Sequence, residues 1–499
     1  MTTNKTHYSR GEIMERNKLK MVLYRNLFNQ AGPMLDEIAK IPKQIGIPSD
    51  LKGKMGLSGK ISGRPAPLRK DIRAAVDEAS SKPMPLAEMA EEIRVLVKEY
   101  YGDGYDAVLT STCEAALWVA FDTLCTPPMG KGEAYQACYL APFERHMHHQ
   151  AAYGRPFPPK YKDYVCDHGV TSGEMGMAGK RQNNLSTIIV PLVGAKYECH
   201  GIKYHPCPLM VHVDPEKSYE QMARVAARHA TSLVAITSLG YDSPGHGYGV
   251  KDPDGAPRMQ KYHAKIAREY DIPYIVDNAS GTPFIGNDIR KIDGDIMMYS
   301  MDKSTGAPIS GLIIGKEEEM VPFRRALGTH SARGGGLAYG KAAYVGYEPG
   351  RESLAGAIAA LKVLKEKPEV ITKPVDDTYE IVKEELKNLN REIAEHLVVT
   401  KTHNRQEVEI DYQDTWSDDR IGFPIFSIED LYAGTDMLTR GLVSMGLIPT
   451  VDYDGNISVS CGQNTTDENG RLIEERMRWC VRALFQEMEV IWKYWTKGI

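Results

Sequence analysis

Residues Tyr274 to Gly315 read YIVDNASGTPFIGNDIRKIDGDIMMYSMDKSTGAPISGLIIG, and their order decides the fold. An apolar strand ends on Asp277. A second strand follows and delivers Ser300 and then Lys303, the lysine lying 26 positions after the aspartate (303 minus 277). Next comes Gly306-Ala-Pro308-Ile-Ser-Gly311, a Gly-x-Pro-x-x-Gly pattern, and a third apolar strand. Taken singly, these residues mean little: an aspartate at a strand end commonly caps a loop, and most lysines are solvated. Together they supply a buried amine able to act as nucleophile and base, a carboxylate, and a hydroxyl.

That order resembles the pyridoxal 5′-phosphate (PLP) enzymes of the aspartate-aminotransferase fold, known as fold type I. The resemblance implies that Lys303 forms the Schiff base with the cofactor aldehyde and later moves the Cα proton. It implies that Asp277 faces the ring nitrogen, so that the ring accepts electrons from a substrate carbanion. Ser300 would meet the cofactor phosphate. The fold implied is α/β, with a mostly parallel central sheet, helices on both faces, a smaller α+β C-terminal domain and an N-terminal helical arm. Residues 1–80 are expected to form the arm, 81–345 the cofactor domain and 346–499 the small domain.

Upstream, Asp106-Ala-Val-Leu-Thr110-Ser111-Thr112-Cys113-Glu114 reads as a strand, a hydroxyl-rich turn and a helix start. Amides at a helix N-terminus bind anions and neighbouring hydroxyls add donors, so Thr110, Ser111 and Thr112 are expected to cup the phosphate. Thr112 also suits a simple helix cap. Fold-type I enzymes commonly stack an aromatic or histidine ring on the cofactor. In Glu144-Arg145-His146-Met147-His148-His149 the first choice for this is His146, followed by His149. Ser238, at the end of the apolar run Ser232–Leu239, is a further cofactor candidate, since ligands of such sheets sit at the strands' carboxyl ends. After Lys303, the loop Thr329-His330-Ser331-Ala332-Arg333-Gly-Gly-Gly336 offers Arg333 for a substrate carboxylate or phosphate. His330 there suits proton transfer.

Ser300 to Gly315 is similar to bacterial selenocysteine synthase and its relatives, where Ser-x-x-Lys precedes Gly-Gly-Pro-x-x-Gly; here Ala307 replaces the second glycine. Residues 346–362, beginning Gly-Tyr-Glu-Pro-Gly-Arg351-Glu352, resemble the same group. Many transaminases hold the substrate carboxylate with an arginine on a late strand. Here that strand reads Asn456-Ile-Ser-Val-Ser460-Cys-Gly, without one, so either Arg333 or Arg351 is expected to serve or the substrate lacks that carboxylate. The expected reaction is elimination or replacement at the β-carbon of an amino acid or derivative. The alternatives are transamination, decarboxylation, or a tRNA-linked transfer of the selenocysteine synthase kind.

The net charge of −5 opposes a nucleic-acid partner, although Lys and Arg between residues 50 and 73 leave tRNA open. The eight scattered cysteines suit reduced thiols and no disulfide framework. Cys199-His200 and His205-Pro-Cys207 match no common structural zinc spacing, so no metal is expected. No apolar run reaches the ~20 residues that span a bilayer, and Met-Thr-Thr-Asn-Lys-Thr-His lacks a signal-peptide apolar region. A cytoplasmic homodimer or larger homo-oligomer acting on a small amino-acid substrate is expected. Further along, a capping box at Ser218 is expected to open a helix. Helices are also expected over Thr372–Ala394 and Asp467–Lys493, with a strand around Leu397–Val408.

Overall fold

The computed structural model describes residues 27, 29–125, 138–143, 203–208, 215–230, 233–243, 248–330, 344–412, 415, 423, 437–453 and 456–496. Among them run thirteen strands: β1 (Lys60–Ile61), β2 (Arg64–Pro65), β3 (Tyr105–Thr110), β4 (Cys138–Phe143), β5 (Lys203–Pro208), β6 (Leu233–Leu239), β7 (Tyr274–Asp277), β8 (Ile296–Ser300), β9 (Gly311–Lys316), β10 (Val398–Thr402), β11 (Glu407–Asp411), β12 (Val451–Tyr453) and β13 (Asn456–Val459). Seven build one sheet in the order β3-β9-β8-β7-β6-β4-β5. Its pairs are parallel except those that β9 makes with β3 and β8. A mostly parallel sheet is stable only when both faces are covered, and the strand residues divide accordingly. Tyr274, Val276, Met297, Tyr299, Leu312 and Ile314 enter one core. Their alternates Ile275, Ile296, Met298 and Ile313 enter a second, with Ala116, Leu117 and Ala120 of the helix Cys113–Cys125.

The second sheet is antiparallel, in the order β10-β11-β13-β12. Its core includes Val408, Ile410, Ile457 and Val459, and also Leu27, Met34, Ile38, Met55 and Leu57. Residues 27–57 therefore pack with the C-terminal part of the same chain. Gly56 bridges Ile448, and the Ser460 amide donates to the Leu57 carbonyl at 2.7 Å. No helix among the described residues is long and apolar enough to cross a membrane.

Four element boundaries differ from the sequence expectation, each for a local reason. The helix expected to open at Ser218 spans Pro215–His229, because proline is preorganised for the first turn and lacks the amide that turn would leave unpaired. The segment expected to be one helix over Thr372–Ala394 is two, Glu369–Leu386 and Arg391–Ala394. Asn390 accepts from the Glu392 amide at 3.0 Å and caps the second. The strand expected over Leu397–Val408 folds back between Thr402 and Glu407 as the β10–β11 hairpin, with Gln406 at φ 51°. The closing helix starts at Glu474 rather than Asp467. Asp467 instead takes the amides of Asn469 and Arg471 at 2.8 and 2.9 Å in a turn.

Candidate active site

Asp277 is the last residue of β7, and Lys303 lies in the short helix Met301–Ser304 that follows β8. Adjacent parallel strands deliver both to one end of the sheet. There the Asp277 carboxylate is half-buried, and its Oδ1 accepts from the Ala279 amide at 3.0 Å. Among the described residues Oδ2 has no donor. Burial pushes the Asp277 pKa above the ordinary aspartate value, and Glu114 adds to the rise. The Ala279 amide and the nearby positive charge of Lys303 oppose it. Lys303 itself is half-buried and makes no hydrogen bond or ion pair among the described residues.

The turn after β3 approaches the same place. Cys113, first residue of the helix Cys113–Cys125, is buried, and its thiol pKa is pushed well up by burial. The charge on Asp277 adds to this and that on Lys303 opposes it. These mutual influences put Cys113, Glu114, Asp277 and Lys303 in one neighbourhood. Cys113 and Glu114 were not among the expected site residues; their one signal was their place directly after the hydroxyl-rich turn.

The three hydroxyls of that turn have different tasks. Thr110 Oγ1 lies 2.8 Å from the Thr112 carbonyl and 3.1 Å from that of Gly311, so its hydroxyl braces the turn against β9. Thr112 Oγ1 accepts from the Ala115 amide at 2.9 Å and caps the helix. Ser111 donates its amide to Tyr347 at 2.8 Å, while its hydroxyl has no partner among the described residues. Gly311 permits this close approach, because a Cβ there would overlap the Thr112 carbonyl oxygen. Ser300, at the end of β8, donates its hydroxyl to Asp302 Oδ1 at 2.6 Å.

Other expected residues are placed elsewhere. Ser238 Oγ lies 2.5 Å from the Tyr274 hydroxyl and 3.1 Å from the Leu239 carbonyl. Strand alternation puts it on the Tyr274 side of the sheet and Asp277 on the other, so the two are not brought together. Arg351 begins the helix Arg351–Glu366 and pairs with Glu352 at 2.9 Å, partly exposed. His146, His149 and Arg333 lie outside the described residues, as does the side chain of His330, whose backbone ends a 3₁₀ turn, Gly328–His330. No group of metal-ligating side chains occurs among the described residues.

Beside the helix Met301–Ser304 opens a cleft whose charged lining is Lys60, Arg69, Asp302 and Lys303. Its far wall comes from Cys461 and Gly462, just beyond β13. Behind it, Asn404 of the β10–β11 turn joins the two sheets. Asn404 Oδ1 accepts from Asn278 Nδ2 and from the Asn287 amide, both at 3.1 Å, and its Nδ2 donates to the Gly240 carbonyl at 2.9 Å. The residue that follows Asp277 is thus pinned to the smaller sheet through a buried amide network.

Neither a protein-family model nor a curated protein sequence matches the chain. Among solved structures it is similar to a complex of SepCysS with the N-terminal domain of SepCysE, with TM-score 0.50 and 12% identity over 89% of this chain and 97% of that one. It is also similar to D-glucosaminate-6-phosphate ammonia-lyase, at TM-score 0.46 and 14% identity over 90% and 98% of the two chains. A Thermus thermophilus aspartate aminotransferase gives TM-score 0.47 and 13% identity over 92% and 96%. The chain has the architecture of the fold-type I PLP-dependent transferases, the fold class expected from its sequence.

Proposed function

We propose that this chain is a PLP-dependent enzyme that acts on an amino acid or a derivative through Lys303, by elimination or replacement at the β-carbon. One observation carries the proposal. A half-buried carboxylate, one oxygen of which has no donor among the described residues, and a lysine with no partner among them stand together at the carboxyl ends of adjacent strands. A carboxylate that has lost part of its water is costly to keep charged unless something supplies a cation or a donor. A protonated ring nitrogen fits that need, and an aldehyde fits the free amine.

When bound, the cofactor supplies an electrophilic aldehyde and a ring that accepts electrons. Asp277 would hold the ring nitrogen in its protonated form. Ser111 and the amides that open the helix Cys113–Cys125 would receive the phosphate, with Thr110 and Thr112 shaping the turn. Ser300 would join them by turning its hydroxyl from Asp302. Lys303 Nζ would take the Cα proton, and the β-substituent would leave with its bonding electron pair. His146 or His149 is assigned to the cofactor face, and His330, Arg333 and Arg351 to the substrate. A cytoplasmic homo-oligomer with a small-molecule substrate completes the proposal; the fold supports it by analogy only.

The test is a titration of PLP-loaded protein with individual amino acids, following the visible band and the products. Elimination releases the β-substituent, ammonia and a 2-oxo acid. An amine left on the cofactor without ammonia would replace the proposed reaction by transamination, and CO₂ release would replace it by decarboxylation. Protein that takes up no PLP at all would remove the proposal.

A further inference from the structure

The cleft beside Lys303 is lined by three cations, Lys60, Arg69 and Lys303, against one carboxylate, Asp302. Asp302 accepts from Ser300. Arg69 is held at all three of its nitrogens, through three of its five N–H groups: Nε and Nη2 each hold Asp71 at 3.1 Å, and Nη1 donates to the Thr305 carbonyl at 2.7 Å. Lys60 is different. It is only 7% exposed, yet just one of its three N–H groups has a partner among the described residues, Glu407 Oε2 at 3.1 Å. Its position is fixed from behind, since its amide donates to Ser58 Oγ at 3.1 Å.

Glu407 has partners besides Lys60. Its Oε1 is held by Arg405 at 2.5 Å and by Ser458 Oγ at 3.2 Å. The Lys60 ammonium can keep its bond to Oε2 and still present its two other N–H groups to a ligand. Burial lowers the Lys60 pKa to about 8, with Glu407 opposing and Arg405 adding, so a second anion would restore a charge that the pocket makes costly. The location is also specific. The Gly59–Ala66 stretch lies on the residues after β13, where a Cβ on Gly59 would meet the Cys461 carbonyl at 3.1 Å and Ala66 Cβ at 3.2 Å. That stretch, Ser460-Cys461-Gly462, carries no cation of its own.

We propose that Lys60 is the receptor for an anionic group of the substrate, a carboxylate or a phosphate, in the cleft beside Lys303. The proposal rests on the amino-acid-enzyme reading above and narrows its substrate to one whose anion reaches the N-terminal segment. Arg69 keeps the cleft positive but stays on Asp71 and Thr305. Lys60 supplies the two donors that meet the ligand.

The experiment is calorimetric titration of PLP-loaded wild type, Lys60→Gln and Lys60→Arg with succinate and, separately, inorganic phosphate. Neither probe has an amine, and in loaded protein the cofactor already fills its own phosphate site. A charge-assisted hydrogen bond corresponds to about 10- to 100-fold in affinity. Wild type should bind one of the anions, Lys60→Gln should lose affinity by that factor, and Lys60→Arg should retain most of it. The anion with the larger loss identifies the substrate group. Equal binding by wild type and Lys60→Gln, or no binding of either anion to wild type, overturns the proposal. Should Lys60→Gln not fold, the same anions should protect Lys60 of the wild-type protein from reductive methylation, read by peptide mass, and unprotected modification overturns the proposal equally. The visible band of each sample separates the two readings: a Lys60 variant that loads PLP normally but binds anions unchanged defeats this inference alone.

Discussion

The end of the large sheet and the wall of the cleft both bring charged side chains together, but by opposite means. At the sheet end, Asp277 and Lys303 come from neighbouring strands and, among the described residues, have no partner apart from one amide on Asp277. In the wall, Lys60 and Glu407 are separated by 347 positions and locked at 3.1 Å, with Arg405 sealed behind them at 1% exposure. Arg405 also lies over the Tyr241 ring, 4.1 Å from its centroid. The groups proposed to react have few partners among the described residues, whereas groups that hold a shape are consumed by one another. Lys60 is the exception within the wall, since it is paired on one side and open on the other.

Substitutions should separate the two regions, with effects that fall in order. Lys303→Ala should abolish covalent cofactor binding and lower turnover on the order of 10⁴-fold while leaving the melting temperature of the apo protein close to wild type. A comparable loss of stability would mean that Lys303 is part of the wall's kind of network. Glu407→Gln should do the reverse, since breaking a buried ion pair from one side costs about 3–5 kcal/mol. Denaturant unfolding should show that loss, and a variant as stable as wild type would show that the pair carries little.

The third prediction concerns acid. His263 is buried in the core behind β7, 3.4 Å from the Tyr274 hydroxyl, and burial lowers its pKa from 6.5 to about 3. Between those values the unfolded chain binds the proton and the folded one does not. Stability should therefore fall as pH drops from 6.5 toward 3, by about 1.4 kcal/mol per pH unit for this one group. His263→Gln should flatten that slope, and an unchanged slope would move the acid-sensitive group elsewhere. The smallest effect is expected for Arg351→Ala. Its pairing with the exposed Glu352 contributes below about 1 kcal/mol, so a large loss of substrate affinity in this variant, measured as KM, would instead give Arg351 the substrate role expected from the sequence.

Asp277 and Lys303 were legible because both depend on local facts: an apolar run sets each strand, and the polar residue at its end emerges where such sheets bind ligands. The turn after β3 was legible as a turn but not in its detail. Nothing in Thr110-Ser111-Thr112 tells which hydroxyl the backbone consumes, and the answer depends on Gly311, 201 positions from Thr110. Helix starts were misplaced where an Asx turn at Asp467 or a cap at Asn390 competes with the helix. The wall was not legible at all. Lys60 sits in a Gly-, Lys- and Pro-rich stretch, Ile47 to Leu68, that reads as an arm lying on another surface, such as a partner subunit's. Its neighbours, Glu407 and Cys461, come from the far end of the chain, and no local pattern pairs residues so distant.

The central claim is that Lys303 is the amine that carries the cofactor. Borohydride reduction of PLP-treated protein, followed by peptide mass analysis, tests it directly. A reduced pyridoxyl adduct on the peptide containing Lys303, absent from Lys303→Ala, is the predicted result. An adduct on another lysine, or none at all, would contradict the account.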